Sequence, residues 1–217
     1  LHLIIIYNYI IIYYYIIMLI LLRHSESEYN KLNQFTGWYD SEISDIGITN
    51  CKNISCILSE YNVKCIFTSP LKRCKQTLDI LINNLKLNCK VKESKYLVER
   101  HYGALTGLNK DDVKSKYGNE LFITYRRSWD VKPPPVENNN NINTSIFENV
   151  YSESLKDVYN RVVPYFKENI QPLIKDNNVL IISHGNTLRA LYKYLNNISD
   201  NDIEKFEIKN NELIFIH

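Results

Sequence analysis

Residues 18–24 read Met-Leu-Ile-Leu-Leu-Arg-His, and residues 178–184 read Asn-Val-Leu-Ile-Ile-Ser-His. Each is a short apolar run, typical of a buried parallel strand, that ends in a histidine. Active sites of open α/β sheets lie at the carboxyl ends of the strands, so two histidines placed there meet only through the fold. An arginine stands near each one, Arg23 and Arg189. The pair therefore favours an active site over two structural histidines.

The rest of the chain alternates between strand and helix patterns. Helices are predicted over Ser44–Glu60, Leu71–Leu85, Asp111–Lys116, Glu120–Trp129, Ser154–Asn169, Thr187–Leu195 and Asp200–Phe206, and further strands over Val63–Phe67 and Leu213–Ile216. The Asn-rich residues 138–141 predict a surface loop. Strands that alternate with helices predict an α/β fold with a mostly parallel central sheet flanked by helices.

The bulk composition narrows the class of protein. A chain of 217 residues suits one α/β domain with a substantial core. Its 26 Lys and Arg nearly balance 24 Asp and Glu, so no nucleic-acid partner is expected. Five cysteines without metal-ligand spacing predict buried thiols in a reducing compartment, here the cytoplasm.

The first 17 residues form an apolar extension that precedes the first strand. Leu3–Leu22 is long enough to span a bilayer, but it runs directly into Arg23-His24 and carries five tyrosines within residues 7–15. A membrane association is therefore not expected. We interpret residues 1–17 as upstream translated sequence or a fragment artefact, with a short membrane anchor as the alternative, and residues 18–217 as one catalytic domain.

The histidines and arginines together predict phosphoryl transfer. A neutral imidazole nitrogen attacks phosphorus readily near neutral pH, and guanidinium groups bind the phosphoryl oxygens. His24 is the candidate nucleophile, with Arg23 and Arg73 as its cationic cradle. His184, at a helix N-terminus with Gly185 and Asn186, would offer a second imidazole and backbone N–H groups.

A carboxylate and further cations lie between the two histidines in sequence. Glu99 is the candidate general acid and base, although a salt bridge to Arg100 is the plainer alternative. The side chains of Lys110, Arg126 and Arg127 add more positive charge than one phosphate group requires. This surplus predicts a small substrate with more than one anionic group.

Seven blocks carry a resemblance to a known family. They are Arg23-His24-x-Glu26-Ser27-x-x-Asn30, Phe35-Thr36-Gly37-Trp38, Thr68-Ser69-x-Leu71-Lys72-Arg73, Glu99-Arg100-His101-Tyr102-Gly103, Arg126-Arg127-Ser128, Glu153-Ser154-Leu155-Lys156-Asp157 and His184-Gly185-Asn186-x-Leu188-Arg189. From Met18 nearly to its last residue, the chain closely resembles the cofactor-dependent phosphoglycerate mutases of the histidine phosphatase superfamily. The second and fourth blocks point to the mutase branch in particular.

The resemblance implies a three-layer α/β/α fold, usually in homodimers or homotetramers. It also implies interconversion of 3-phosphoglycerate and 2-phosphoglycerate, small phosphorylated three-carbon acids, with 2,3-bisphosphoglycerate priming the nucleophile and no metal. His24 would carry the phosphoryl group, Glu99 would exchange protons, and Arg23, Asn30, Arg73 and His184 would surround the phosphoryl. The implied substrate contacts are Ser27, Thr36, Gly37, Tyr102, Lys110, Arg126, Arg127, Gly185 and Asn186.

Three departures from the family pattern leave an alternative open. Ser25 stands where the mutases have Gly, Lys209-Asn210-Asn211 replaces Pro-Thr-Gly, and the sequence ends at His217 without the tail that helps close the mutase site. A site without a lid would admit water to the phosphohistidine, which predicts a phosphatase acting on small phosphate esters. The intact His24, Glu99 and His184 set disfavours a non-catalytic relative. The absence of a linker before the first strand disfavours a membrane-tethered interaction protein that uses residues 1–17.

Overall fold

The structure is a computed structural model that describes residues 17–136 and 146–216, and the backbone of two short strands before them. These strands, β1 (Ile6–Tyr7) and β2 (Ile10–Ile11), pair with each other in antiparallel fashion. The rest of the apolar extension and the predicted loop at residues 138–141 lie outside the described residues.

A five-stranded sheet forms the centre of the fold. Its strands are β3 (Leu19–Arg23), β4 (Val63–Thr68), β5 (Lys90–Glu93), β6 (Asn178–Ser183) and β7 (Leu213–Ile216), in the order β5-β4-β6-β3-β7. The first four are parallel, and β7 lies antiparallel to β3 at one edge. This confirms the predicted mostly parallel sheet.

Seven α-helices lie in the described part of the chain: α1 (Glu28–Lys31), α2 (Asp45–Leu58), α3 (Lys72–Leu85), α4 (Lys110–Arg127), α5 (Leu155–Asn169), α6 (Gly185–Leu195) and α7 (Asp200–Ile203). Short 3₁₀ turns span Lys95–Leu97, Gly103–Leu105 and Gln171–Lys175. Local signals set several helix starts: the Ser44 hydroxyl accepts a hydrogen bond from Gly47 N at the start of α2. Ser154 and Asp157 form a capping box at the start of α5.

The strand period of two residues divides the core into two layers. In β3, Leu19 and Leu21 pack in the cluster that contains α5 and α6, whereas Ile20 and Leu22 pack in the cluster that contains α2 and α3. All four side chains are buried. Because successive side chains of a strand point to opposite faces, one apolar run serves both layers. The arrangement is the predicted three-layer α/β/α fold.

Two details differ from the sequence predictions. Strand β5 was not predicted, because all four of its residues are exposed and three of them are charged. Cys56 is exposed and Cys89 is half-buried, whereas all five cysteines were predicted to be buried. The predicted break between the two helices of α4 is present, because Gly118, with φ of 79°, is not helical. No helix among the described residues is long and apolar enough to cross a membrane.

Candidate active site

The two histidines that end the apolar runs meet at the carboxyl edge of the sheet. His24 follows β3 and His184 follows β6, and these neighbouring parallel strands pair Arg23 with Ser183. The ring centroids lie 5.0 Å apart with the planes inclined by 61°. Both side chains are almost fully buried. The meeting predicted from sequence is therefore present in the fold.

A pocket opens in front of His24. It contains all the predicted site residues except Ser27 and His184. Its lining is Arg23, His24, Asn30, Gln34, Phe35, Thr36, Gly37, Arg73, Glu99, Tyr102, Lys110, Arg126, Arg127, Gly185, Asn186, Arg189, Glu207 and Ile208. Most of these residues come from loops after strands or from the ends of helices, which is where active sites of open α/β sheets lie.

The hydrogen bonds of His24 fix its tautomer. Its Nδ1 lies 2.7 Å from the backbone carbonyl oxygen of Ser25. A carbonyl only accepts, so Nδ1 carries the proton and Nε2 keeps a free lone pair. Arg73 Nε donates to that Nε2 at 3.3 Å. Burial, and then Arg73 and Arg23, hold the pKa of His24 well below its ordinary value. The ring is therefore uncharged and nucleophilic at neutral pH.

Arg73 is held in place by backbone carbonyls. Its Nη1 donates to Tyr39 O at 2.9 Å and its Nη2 donates to Gly37 O at 2.8 Å. Gly37 has φ of +51°, and a Cβ there would lie 3.2 Å from Thr106 Oγ1. Glycine suits this turn because both the backbone angle and the space disfavour a side chain. The loop thus orients the guanidinium toward His24.

His184 lies behind His24 and does not line the pocket. Its Nε2 is hydrogen-bonded to Ser69 Oγ at 2.8 Å, and Cys74 Sγ lies 3.5 Å from the same nitrogen. Burial, followed by Arg73, keeps the pKa of His184 well below its usual range. The residue precedes α6, so the free N–H groups of that helix begin beside His24.

Glu99 enters the pocket from the loop after the 3₁₀ turn Lys95–Leu97. Its Oε1 accepts hydrogen bonds from Arg100 N at 2.7 Å and Asn186 N at 3.2 Å. No hydrogen bond to its Oε2 is found within the described part of the chain, and no ion pair to Arg100 is found there either. One oxygen is therefore fixed and the other can exchange a proton.

Asn186 joins the walls of the pocket. Its Nδ2 donates to the Tyr102 hydroxyl at 3.0 Å, and its Oδ1 accepts from Arg189 Nη1 at 2.9 Å. Burial opposes ionisation of Tyr102, but Arg100, whose guanidinium stacks 4.5 Å from the ring centroid, lowers the pKa of the phenol overall. The Asn186 amide thus holds the Tyr102 phenol and the Arg189 guanidinium in fixed positions relative to each other.

The outer end of the pocket contains three cations and a carboxylate. Lys110 begins α4, and Arg126 and Arg127 end it. Glu207 Oε2 pairs with Arg127 Nη2 at 2.8 Å, and its Oε1 lies 3.6 Å from Arg126 Nη2. Partial burial, together with Arg126 and Arg23, lowers the pKa of Lys110. Unlike the inner end, this end is partly open to solvent.

The segment after α7 holds the loop that carries His24. Arg23 Nη1 donates to Ile208 O at 2.6 Å, and Asn210 Nδ2 donates to His24 O at 2.9 Å. The Ser25 hydroxyl donates to Asn211 Oδ1 at 2.6 Å. Two departures from the family pattern, at positions 25 and 211, are therefore in contact with each other.

The residues that line the pocket differ from the predicted site residues in two ways. The Ser27 hydroxyl caps α1 and contacts Asn30, and Ser27 does not line the pocket. The lining residues not predicted as site residues are Gln34, Phe35, Arg189, Glu207 and Ile208. Arg189 had a signal, since it follows Gly185 by four residues and one helical turn brings it back to the same face. Glu207 had none, because its partners are distant in sequence.

Groups of three or more His, Cys, Asp or Glu side chains that could hold a metal are not found in the described residues. The expectation that no metal takes part stays a prediction.

Comparison with known proteins places this fold and site in a class. A sequence model of the histidine phosphatase superfamily (branch 1) matches residues 19–217. Among solved structures, a mycobacterial glucosyl-3-phosphoglycerate phosphatase superposes with a TM-score of 0.74 at 21% identity, covering 91% of this chain and 88% of that one. The Bacillus stearothermophilus protein YhfR gives a TM-score of 0.74 at 18% identity, with 92% and 90% covered. The chain is a member of the histidine phosphatase superfamily.

Relatives with higher identity narrow the family. A protein of Corynebacterium kroppenstedtii named 2,3-bisphosphoglycerate-dependent phosphoglycerate mutase is 46% identical over 88% of this chain and 81% of its own length. A protein of the same name from Nautilia profundicola is 42% identical over 88% of this chain and 89% of its own. Within the superfamily, the chain belongs to the 2,3-bisphosphoglycerate-dependent phosphoglycerate mutases, which confirms the predicted family.

Proposed function

We propose that the protein interconverts 3-phosphoglycerate and 2-phosphoglycerate through a phosphohistidine at His24. The observation that carries the proposal is the state of the His24 ring. Its proton is held on Nδ1 by the Ser25 carbonyl, and its free Nε2 meets Arg73 inside the pocket. An uncharged imidazole with a fixed tautomer and an adjacent guanidinium is suited to accept a phosphoryl group.

The charge of the pocket favours a substrate with several anionic groups. Six guanidinium or ammonium groups line the pocket, against the two carboxylates of Glu99 and Glu207. A single phosphate would leave much of this positive charge unpaired, whereas a phosphorylated acid or a bisphosphate brings two or three anions. Arg23 Nε is also buried without a hydrogen-bond partner, as expected of a donor that meets a phosphoryl oxygen.

The residues of the chain would divide the chemistry as follows. His24 Nε2 forms the N–P bond as the P–O bond of the substrate breaks, and Glu99 supplies the proton to the freed oxygen. In the reverse half-reaction, Glu99 takes the proton of the substrate hydroxyl as that oxygen attacks phosphorus and the N–P bond breaks. Bound 2,3-bisphosphoglycerate would supply the phosphoryl group that primes His24, held by the cations at both ends of the pocket.

The other residues of the pocket have proposed roles in holding the anionic groups of the substrate. Arg23, Arg73 and the N-terminus of α6 would hold the transferred phosphoryl group, with His184 behind it. Lys110, Arg126 and Arg127 would hold the other anionic groups of the substrate. We further propose that residues 18–217 act as one catalytic domain, in a homodimer or homotetramer of the cytoplasm.

The test is an assay with 3-phosphoglycerate, with and without 2,3-bisphosphoglycerate, that measures both 2-phosphoglycerate and free phosphate. We expect 2-phosphoglycerate to form in excess and to depend on the bisphosphate. Release of phosphate without 2-phosphoglycerate would instead support the alternative, a phosphatase for small phosphate esters. A His24→Asn variant, which keeps a polar side chain but has no nucleophilic ring nitrogen, is the matched control.

A further inference from the structure

The arginines at the outer end of the pocket already hold a carboxylate that belongs to the chain itself. Glu207 contacts Arg127 at 2.8 Å and approaches Arg126 at 3.6 Å. All three residues line the same pocket as His24. An anionic ligand that reaches these arginines therefore meets an occupied site.

The backbone around Glu207 is fixed, but its side chain has room to move. The next residue, Ile208, is buried, and its carbonyl accepts a 2.6 Å hydrogen bond from Arg23. The Glu207 side chain is 48% exposed, whereas that of Arg127 is 17% exposed. The carboxylate can consequently swing into solvent by side-chain rotation, while the arginines and the backbone stay in place.

We propose that Glu207 is a built-in competitor for the substrate anion at Arg126 and Arg127. The inference rests on the proposed function, in which these arginines bind the substrate. A ligand that spans the pocket must displace the Glu207 carboxylate or share the arginines with it. A small anion beside His24, such as inorganic phosphate, need not do so. Glu207 therefore tunes the affinity for the longer ligand and leaves that for the shorter one almost unchanged.

Glu207→Gln tests the competition by the sign of its effect. Solvent-exposed ion pairs are weak, so we expect the Kd of 3-phosphoglycerate, measured by calorimetry on the unphosphorylated protein, to fall roughly two- to fivefold. The KM should fall in parallel at unchanged kcat, because the competitor acts on binding alone. The Kd of inorganic phosphate should change less than that of 3-phosphoglycerate.

Two comparisons separate displacement from a general change of charge. Glu204→Gln removes the same charge three residues away, where the carboxylate accepts from Trp129 N and pairs with no arginine in the described residues. It should leave the Kd of 3-phosphoglycerate unchanged. In an Arg127→Ala background, most of the effect of Glu207→Gln should disappear, as a double-mutant cycle requires for contacting residues.

A higher Kd for 3-phosphoglycerate in Glu207→Gln would overturn the inference, since Glu207 would then orient the arginines for the substrate. An unchanged Kd would overturn it as well. Failure of the proposed function is a separate result: tighter binding of 3-phosphoglycerate to Glu207→Gln would stand even if neither protein formed 2-phosphoglycerate. The melting temperature of each variant checks that the fold is intact.

Discussion

The inner and outer ends of the pocket hold their cations in different ways. At the inner end, Arg73 is buried and donates to two backbone carbonyls and to His24. At the outer end, Arg126 and Arg127 are partly exposed and face the half-exposed carboxylate of Glu207. Directional hydrogen bonds fix the first arginine, and solvent-screened ion pairs hold the other two.

This difference suggests a division of labour. Preorganised donors in a buried site stabilise the charge that develops during reaction, and they need no rearrangement at that moment. Exposed cations that bind the ground state and the transition state about equally lower KM without raising kcat. We therefore expect changes at the inner end to alter kcat and changes at the outer end to alter KM.

The largest effect should come from the nucleophile. His24→Ala is expected to abolish both mutase and phosphatase turnover, because no other side chain in the pocket combines an uncharged imidazole with an adjacent guanidinium. Acid-labile phosphate on the protein after exposure to 2,3-bisphosphoglycerate is the direct measurement. Labelling of the variant at the wild-type level would move the nucleophile elsewhere.

Glu99→Gln should come next. Loss of an acid and base usually slows turnover by ~10²–10⁴-fold, and the amide keeps an acceptor for Arg100 N and Asn186 N. Phosphorylation of His24 by 2,3-bisphosphoglycerate should be less affected, because the cations partly neutralise the leaving oxygen. Single-turnover kinetics of both half-reactions measure the difference. An unchanged kcat would mean that another group handles the proton.

Arg73→Lys is the conservative change that isolates the inner end. Lysine keeps the charge but cannot donate to Gly37 O, Tyr39 O and His24 together. We expect kcat to fall roughly 10²-fold, in the range of a lost preorganised donor, with a small change in KM. A variant that affected KM alone would remove the distinction between the two ends.

Arg127→Ala is the matching change at the outer end. We expect KM for phosphoglycerate to rise about tenfold, the value of one charge-assisted hydrogen bond, with kcat nearly unchanged. Steady-state kinetics beside Arg73→Lys make the comparison direct. A fall in kcat of the size expected for Arg73→Lys would show that the outer cations act on the transition state.

The smallest expected effect is on the pH dependence of stability, to which the buried histidines and Glu207 contribute in different pH ranges. His24, His101 and His184 all have lowered folded pKa values, that of His101 falling to about 4, mainly through burial. The unfolded chain therefore takes up more protons below pH 6.5, and stability should fall as the pH drops from there. Each buried histidine contributes a slope of at most about 1.4 kcal/mol per pH unit.

The carboxylate of Glu207 contributes to the pH dependence of stability at lower pH. Burial opposes its ionisation, but Arg127 and Arg126 lower its pKa below the ordinary 4.5, so its contribution is lost only as the pH falls below that value. Urea unfolding between pH 7 and 4.5 should give a shallower slope for His101→Asn and an unchanged slope for Glu207→Gln. Equal slopes for His101→Asn and the unmodified protein would contradict the assignment.

The elements that sequence predicted best are those whose pattern is local. Strands β3 and β6 are continuous apolar runs, and α2 and α5 begin at serines that cap them. Strand β5 escaped because Lys90–Glu93 has no apolar pattern and becomes a strand only by pairing with β4. An exposed edge strand of this kind is recognised by its hydrogen bonds, not by its side chains.

The site divides in the same way. Motif blocks identified the residues that now line the pocket around His24, but they could not place Glu207 against Arg127 or Asn211 against Ser25. These contacts join segments 80 to 186 positions apart, because the chain after α7 returns to the end of α4 and to the loop after β3.

The amino-acid sequence by itself determined the family, the alternation of strands and helices, and the candidate nucleophile. Those properties depend on residue types in a fixed order, which a linear pattern records. Tertiary structure alone decided the tautomer of His24, the position of His184 behind it and the carboxylate that occupies the outer arginines. These depend on hydrogen bonds a few ångströms long between distant segments, and such distances exist only once the sheet has brought its strand ends together.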